Sequence, residues 1–72
     1  MKKSFELEDL DCAHCAQKMQ EAIAKIDGVK NVSVNFLAQK MLLEADDDVF
    51  DKVLKEAVAT IKKVEPDCTV IL

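Results

Sequence analysis

The spacing of apolar residues switches repeatedly between two and three-or-four along this chain, and the order of those switches limits the fold more than any other feature. Phe5 and Leu7 alternate with acids up to about Asp9, as a half-buried strand requires. From Ala13 to Ile26 the apolar positions are Ala16, Met19, Ala22, Ile23 and Ile26, which share one helical face. Asp27-Gly28 closes that helix, since glycine readily takes the left-handed turn beyond a helix end. Val32, Val34 and Phe36 then alternate with Asn31, Ser33 and Asn35. Leu37 to Lys40 forms a short connection without an Asn-Gly turn, and Met41 and Leu43 return on the same side. Val49, Phe50, Val53, Leu54, Ala57, Val58 and Ile61 form a second helical face. Pro66-Asp67 breaks it, and Cys68, Val70 and Leu72 alternate in a last strand. The order is β-α-β-β-α-β. A split βαβ arrangement, an antiparallel sheet covered on one face by two helices, uses all six segments in one pair of layers. With 72 residues and no linker or repeat, residues 1–72 form a single domain.

Charge restricts what such a domain can bind. Ten lysines are scattered among fourteen acids, for a net charge of −4, so the basic face that phosphate backbones require is missing and nucleic acid is not expected as a partner. Met1-Lys2-Lys3 is followed by SFELEDLD, whose four acids occupy the place of a signal peptide's apolar core. No apolar run approaches the roughly 20 residues that span a bilayer. Three cysteines, two of them close together, suit a reducing compartment with metal or redox use better than a disulfide framework. A cytoplasmic location is expected. The acidic run Asp46-Asp47-Asp48 reads as a cap for the second helix and a complement to its dipole rather than as a metal site.

The stretch LDCAHC carries the chemistry. Cys12 and Cys15 fall between the first strand and the first helix, with Cys15 in the opening turn. Free amides and the positive dipole end lower thiol pKa there, which predicts available thiolates near neutral pH. Cys-x-x-Cys spacing turns both sulfurs toward one point. Two sulfurs do not complete a closed zinc site, and no second Cys-x-x-Cys or His pair supplies the others. An open site leaves room for a ligand from a partner as an ion passes between proteins.

The motif and the order of elements together resemble the heavy-metal-associated domain, the ferredoxin-like module of soluble metallochaperones and of the cytoplasmic ends of metal-transporting P-type ATPases. The likeness runs over residues 4 to 72: the loop LDCAHCA, the helix ending KIDGV, the strand VSVNF, and the second helix leading to IKKVEPD. It implies an α+β, ferredoxin-like βαββαβ sandwich, and it implies Cys12 and Cys15 as metal ligands.

Copper-handling members typically read Met-Thr-Cys-x-x-Cys, whereas this chain reads Leu-Asp-Cys-Ala-His-Cys. An acid before the first cysteine is similar to the zinc, cadmium and lead exporting branch, in which that Asp joins the sulfurs, so the resemblance implies Asp11 as a third ligand. Coordination chemistry agrees: Cu(I) is content with two thiolates, while Zn(II), Cd(II) or Pb(II) gains from both the charge and the oxygen. Cu(I) is disfavoured, and the chain has Val64-Glu65-Pro66 where copper members of the family it resembles often carry an aromatic before the last strand. His14, on the variable part of the loop, and Glu65, before the last strand, are secondary metal candidates, each with a solvent-facing reading beside it. Cys68, Met19 and Met41 read as core, and Lys62-Lys63 as a solvated helix end.

The resemblance implies no catalytic residues in the chain itself. Its partners would be a metal ion and either the remainder of an ATP-hydrolysing metal pump, of which this would be the N-terminal domain, or a metal-donor protein. A free-standing carrier is the alternative setting, with copper and mercury carriage disfavoured. A monomer is expected, with a metal-bridged dimer as a variant. Thiol-disulfide exchange also uses Cys-x-x-Cys at a helix start. It ranks below metal carriage, because Asp11 would raise thiol pKa and the aromatic that precedes the first cysteine in thioredoxin-like enzymes is missing.

Overall fold

The computed structural model describes residues 1–72, with β1 (Lys2–Glu8), α1 (Ala13–Ala24), β2 (Val29–Asn35), β3 (Lys40–Ala45), α2 (Phe50–Val64) and β4 (Thr69–Ile71) in the expected order. The sheet runs β2-β3-β1-β4 and every neighbouring pair is antiparallel. This is the ferredoxin-like sandwich that the periodicities point to.

Register explains why the apolar residues face one way. Phe5 lies opposite Met41, Leu7 opposite Val70, and Val32 opposite Leu43, so one face of the pleat is continuous across all four strands. Ala16, Met19 and Ile23 of α1, with Phe50, Val53, Ala57 and Ile61 of α2, cover it. The buried set is sixteen residues, with no charged or polar side chain other than the Cys68 thiol among them. No helix is long and apolar enough to cross a membrane.

One irregularity serves the core. Ala45 and Leu43 are two apart on β3, but their partners Val29 and Val32 are three apart on β2, with a register shift between Val29 and Asn31. The extra residue reverses the alternation, so that Val29 as well as Val32 packs against the core.

Three local expectations are corrected, and one turn has an unusual residue. Helix α1 stops at Ala24 rather than Ile26, because the Lys25 and Ile26 amides reach only three residues back, to Ala22 and Ile23 (3.3 and 3.0 Å). Gly28, at φ +100°, then reverses the chain into β2. The acidic run does not cap α2: Val49 is the capping residue and no side chain bonds the free amides. Instead Asp46 pairs with Lys30 at 2.8 Å and Asp47 with the N-terminal ammonium at 2.7 Å, which leaves Asp51 in the first turn to face the dipole. The β2–β3 turn has Gln39 at φ +54° where glycine or asparagine is usual. Finally, β4 ends at Ile71 and Leu72 is 81% exposed, so it does not extend the buried row.

Candidate metal centre

The loop between β1 and α1 is built from below. Asp9 leaves the strand at φ +62°, a left-handed conformation that aspartate tolerates better than most residues. The turn sends Leu10 inward, where it is 2% exposed, and lifts Asp11 into solvent. Leu10 anchors the loop to the core, and the chain rises directly from it to the helix.

Cys12 is the N-cap of α1. Its backbone is extended (φ −136°, ψ 121°), its carbonyl accepts the Ala16 amide at 3.0 Å, and its Sγ accepts the Cys15 amide at 3.4 Å. A sulfur thus takes the place usually held by a Ser, Thr, Asp or Asn oxygen. Cys15 is the third residue of the helix, and both thiols are half-buried.

These bonds make the two sulfurs unequal. The Cys15 amide, then the Cys15 thiol, donate to Cys12 and hold its pKa below the ordinary value of 9.0. Cys15, which gives its S–H to Cys12, is pushed up to about 11 by that bond, with desolvation and the carboxylate of Glu65 adding to it. The expectation of two thiolates near neutral pH therefore holds for direction at Cys12 only, and the helix amide selects the sulfur that gives its proton up first.

The other candidates differ in burial and in whether they act on this pair. Glu65 caps the C-terminal end of α2, with its amide on the Ile61 carbonyl at 2.8 Å and its carbonyl accepting the Cys68 amide at 3.0 Å. Half-buried there, its carboxylate acts on both thiols. Asp11 and His14 are exposed. Cys68 is fully buried, and burial first, then the charge of Glu65, raises its pKa. It is a core residue. No group of three or more His, Cys, Asp or Glu side chains is gathered into a ready-made cage for an ion. What stands assembled is a dithiol on a helix N-terminus with a carboxylate nearby, able to bind a thiophilic ion once the two S–H protons leave.

Sequence reasoning missed one residue at this site. The Gln39 side chain, from the β2–β3 turn, donates to the Leu10 carbonyl at 2.7 Å and accepts the Leu10 amide at 3.2 Å. Nothing in a Leu-Ala-Gln-Lys turn marks it as a neighbour of the cysteine loop.

Comparison with known proteins matches residues 4–67 to the heavy-metal-associated domain. A cadmium, zinc and cobalt-transporting ATPase of Bacillus subtilis is 30% identical over 70 residues, 97% of this chain and 10% of the ATPase. The copper chaperone CopZ of Enterococcus hirae is 34% identical over 47 residues, 65% of this chain and 68% of the chaperone. Among solved structures, the N-terminal domain of a potential copper-translocating P-type ATPase from Bacillus subtilis, in its Cu(I)-loaded state, superposes with a TM-score of 0.77. It is 26% identical, and the match covers 99% of this chain and 84% of that one. Relatives named for divalent metals and for copper are both present. With its fold, its cysteine loop and this match in agreement, the chain belongs to the heavy-metal-associated domain family and is a metal-binding, non-catalytic domain.

Proposed function

We propose that this domain takes up one divalent ion, Zn(II), Cd(II) or Pb(II), through Cys12, Cys15 and Asp11, and passes it on by ligand exchange. The carrying observation is Asp11 directly before the thiol pair. The relatives divide between divalent metals and copper, so the choice of ion rests on the donor set of this chain. Two thiolates and one carboxylate around a divalent ion leave a net −1, whereas around Cu(I) they leave −2 with an oxygen that the soft ion binds poorly. Glu65 adds to that preference. A second carboxylate acting on both sulfurs favours a doubly charged ion over a singly charged one, and it offers a fourth donor during transfer.

The setting that fits best is the cytoplasmic N-terminal region of a metal-exporting P-type ATPase, since the match to the Bacillus subtilis ATPase runs along 97% of this chain and 10% of that protein. The chain would then receive an ion from a donor and present it to the pump's membrane entrance. A free-standing carrier is the second reading, favoured by the 68% of the Enterococcus chaperone that the chain covers. In either setting the domain acts as a monomer that can be bridged to a partner through the shared ion.

The test is competitive titration of the reduced protein with Zn(II), Cd(II), Pb(II) and Cu(I), followed at Cys12, Cys15 and Asp11 by NMR. Divalent ions should saturate at one per chain and shift all three residues. Preference for Cu(I) with Asp11 unshifted would overturn the reading.

A further inference from the structure

We infer that Gln39 is a positioning residue for the metal loop: its side-chain amide holds the backbone from which Asp11 and Cys12 project. The inference rests on the metal-carriage reading above and adds the element that shapes the site.

Leu10 presents a problem that the fold has to solve. Its side chain is 2% exposed and draws its backbone down with it, yet β1 ends at Glu8, so no strand partner is left for its N–H and C=O. Gln39 fills both roles. Its Oε1 accepts the Leu10 amide at 3.2 Å, and its Nε2 donates to the Leu10 carbonyl at 2.7 Å, the pair of bonds a neighbouring strand would supply. Nε2 also donates to the Phe36 carbonyl at 2.8 Å, so both amide protons are engaged. The orientation of the amide is fixed by this arrangement, because two of its three partners are carbonyls that only the NH2 end can satisfy. The Gln39 carbonyl in turn accepts the Leu7 amide at 2.8 Å. One residue therefore ties the β2–β3 turn to the end of β1 and to the start of the loop.

The backbone of Gln39 supports a role for its side chain. At φ +54° a glycine would sit without the Cβ penalty, and an asparagine would be tolerated but is one methylene too short to span to Leu10. A long amide kept at a left-handed position is a local cost offset by what the amide holds.

The consequence for binding follows from the chain path. Upstream, the loop is pinned at Leu10; downstream, Cys12 is pinned as the N-cap of α1. Asp11 is the single residue between the two anchors. A site whose donors are already confined loses less freedom when the ion arrives, and groups that orient metal ligands typically contribute about ten- to a hundred-fold in affinity. Releasing Leu10 would leave Asp11 held from one side only, free to swing away from the two sulfurs, while Cys12 stays tied to the helix.

The test compares Gln39→Gly and Gln39→Met with Gln20→Met. Gly accepts the backbone angle and removes the amide; Met keeps length and Cβ but cannot bond. Gln20 is the control, since its Oε1 accepts the Val34 amide at 2.9 Å, a similar side-chain bond to backbone remote from the loop. Cd(II) affinity of the reduced proteins is measured by competition with a chromophoric chelator, and exchange of the Leu10 amide by NMR. Both Gln39 variants should exchange Leu10 faster and bind Cd(II) about tenfold more weakly, with Gln20→Met binding as the wild type does. Wild-type affinity in Gln39→Gly or Gln39→Met, or an equal loss in Gln20→Met, overturns the inference while leaving the metal reading intact. Failure of the wild-type protein itself to bind Cd(II) overturns the metal reading, and the positioning role with it.

Discussion

The Cys12 sulfur accepts the backbone N–H of Cys15 at 3.4 Å, and that contact lowers the pKa of the first thiol of the motif, while the bond between the two thiols raises that of the second. Cys12 is held below 9.0 and Cys15 is pushed to about 11. In the metal-free, reduced protein, iodoacetamide at pH 8 should therefore modify Cys12 well before Cys15, as peptide mapping would show. Replacing Cys12 with Ala removes the acceptor, so the pKa of Cys15 should fall from about 11 toward 9.0. The stability signs are opposite as well. Cys15 is favoured in its protonated form, so its contribution is complete below 9.0 and is lost as pH rises through about 11. Cys12 is favoured as thiolate, and its contribution is lost as pH falls through its lowered folded value. Equal alkylation rates at the two sites would show that the cap does not form.

Glu65 acts on the same pair from the other side of the loop. Its negative charge raises the pKa of both thiols, and for Cys15 a hydrogen bond contributes too. Glu65→Gln should lower the two thiol pKa values together, speed alkylation of each at fixed pH, and weaken Cd(II) binding less than loss of Asp11 does. An unchanged ultraviolet thiolate titration in this variant would place Glu65 out of reach of the site.

Cys12→Ala and Cys15→Ala should each abolish tight binding of a divalent ion with the far-ultraviolet spectrum unchanged, because neither thiol belongs to the buried core. Asp11→Ala tests the choice of metal. The carboxylate compensates charge on a divalent ion and adds a mismatched oxygen to Cu(I). The expected outcome is a loss of about tenfold or more for Zn(II) and Cd(II), with Cu(I) affinity unchanged or raised. Equal losses for all three ions would remove Asp11 from the coordination sphere.

The periodicities carried the fold because burial here follows simple alternation: Phe5, Leu7, Met41, Leu43 and Val70 all fall on the face the sequence assigns them. The failures have a common physical cause in partners distant along the chain. Asp46 and Asp47 read as helix caps, since a local rule sees only the helix that follows; in the fold, Lys30 and the N-terminus compete for them. The bulge between Val29 and Asn31 appears only when β2 is laid against Ala45 and Glu44. At the site, Cys12 and Cys15 were legible because their spacing is local. Gln39 was not, because its partner Leu10 lies 29 residues away. The inequality of the thiols was hidden for a different reason: the dipole argument treats the helix end as a uniform field, whereas one amide points at one sulfur.

Gly28 gives a test of the fold independent of metal. Its φ of +100° lies where L side chains are strained, and a Cβ built on it would stand 2.9 Å from Cγ2 of Val53 and 3.7 Å from Cγ2 of Val49. Val53 is 1% exposed within α2, so it has no free space into which to turn. Gly28→Ala therefore combines a left-handed backbone cost of about 1–2 kcal/mol with an overpacking cost of about 1–3 kcal/mol. The sum, roughly 2–5 kcal/mol, is a large share of what a domain of this size has to lose. Urea unfolding of the reduced, metal-free protein should show the midpoint fall sharply with an unchanged slope. Because Gly28 follows the C-terminal end of α1 and the cysteines lie at its N-terminal end, the fraction that stays folded should bind Cd(II) with wild-type affinity. A midpoint within error of the wild type would mean that the turn and α2 separate enough to admit the methyl group, and that the contact between Gly28 and Val53 does not fix how α2 lies on the sheet.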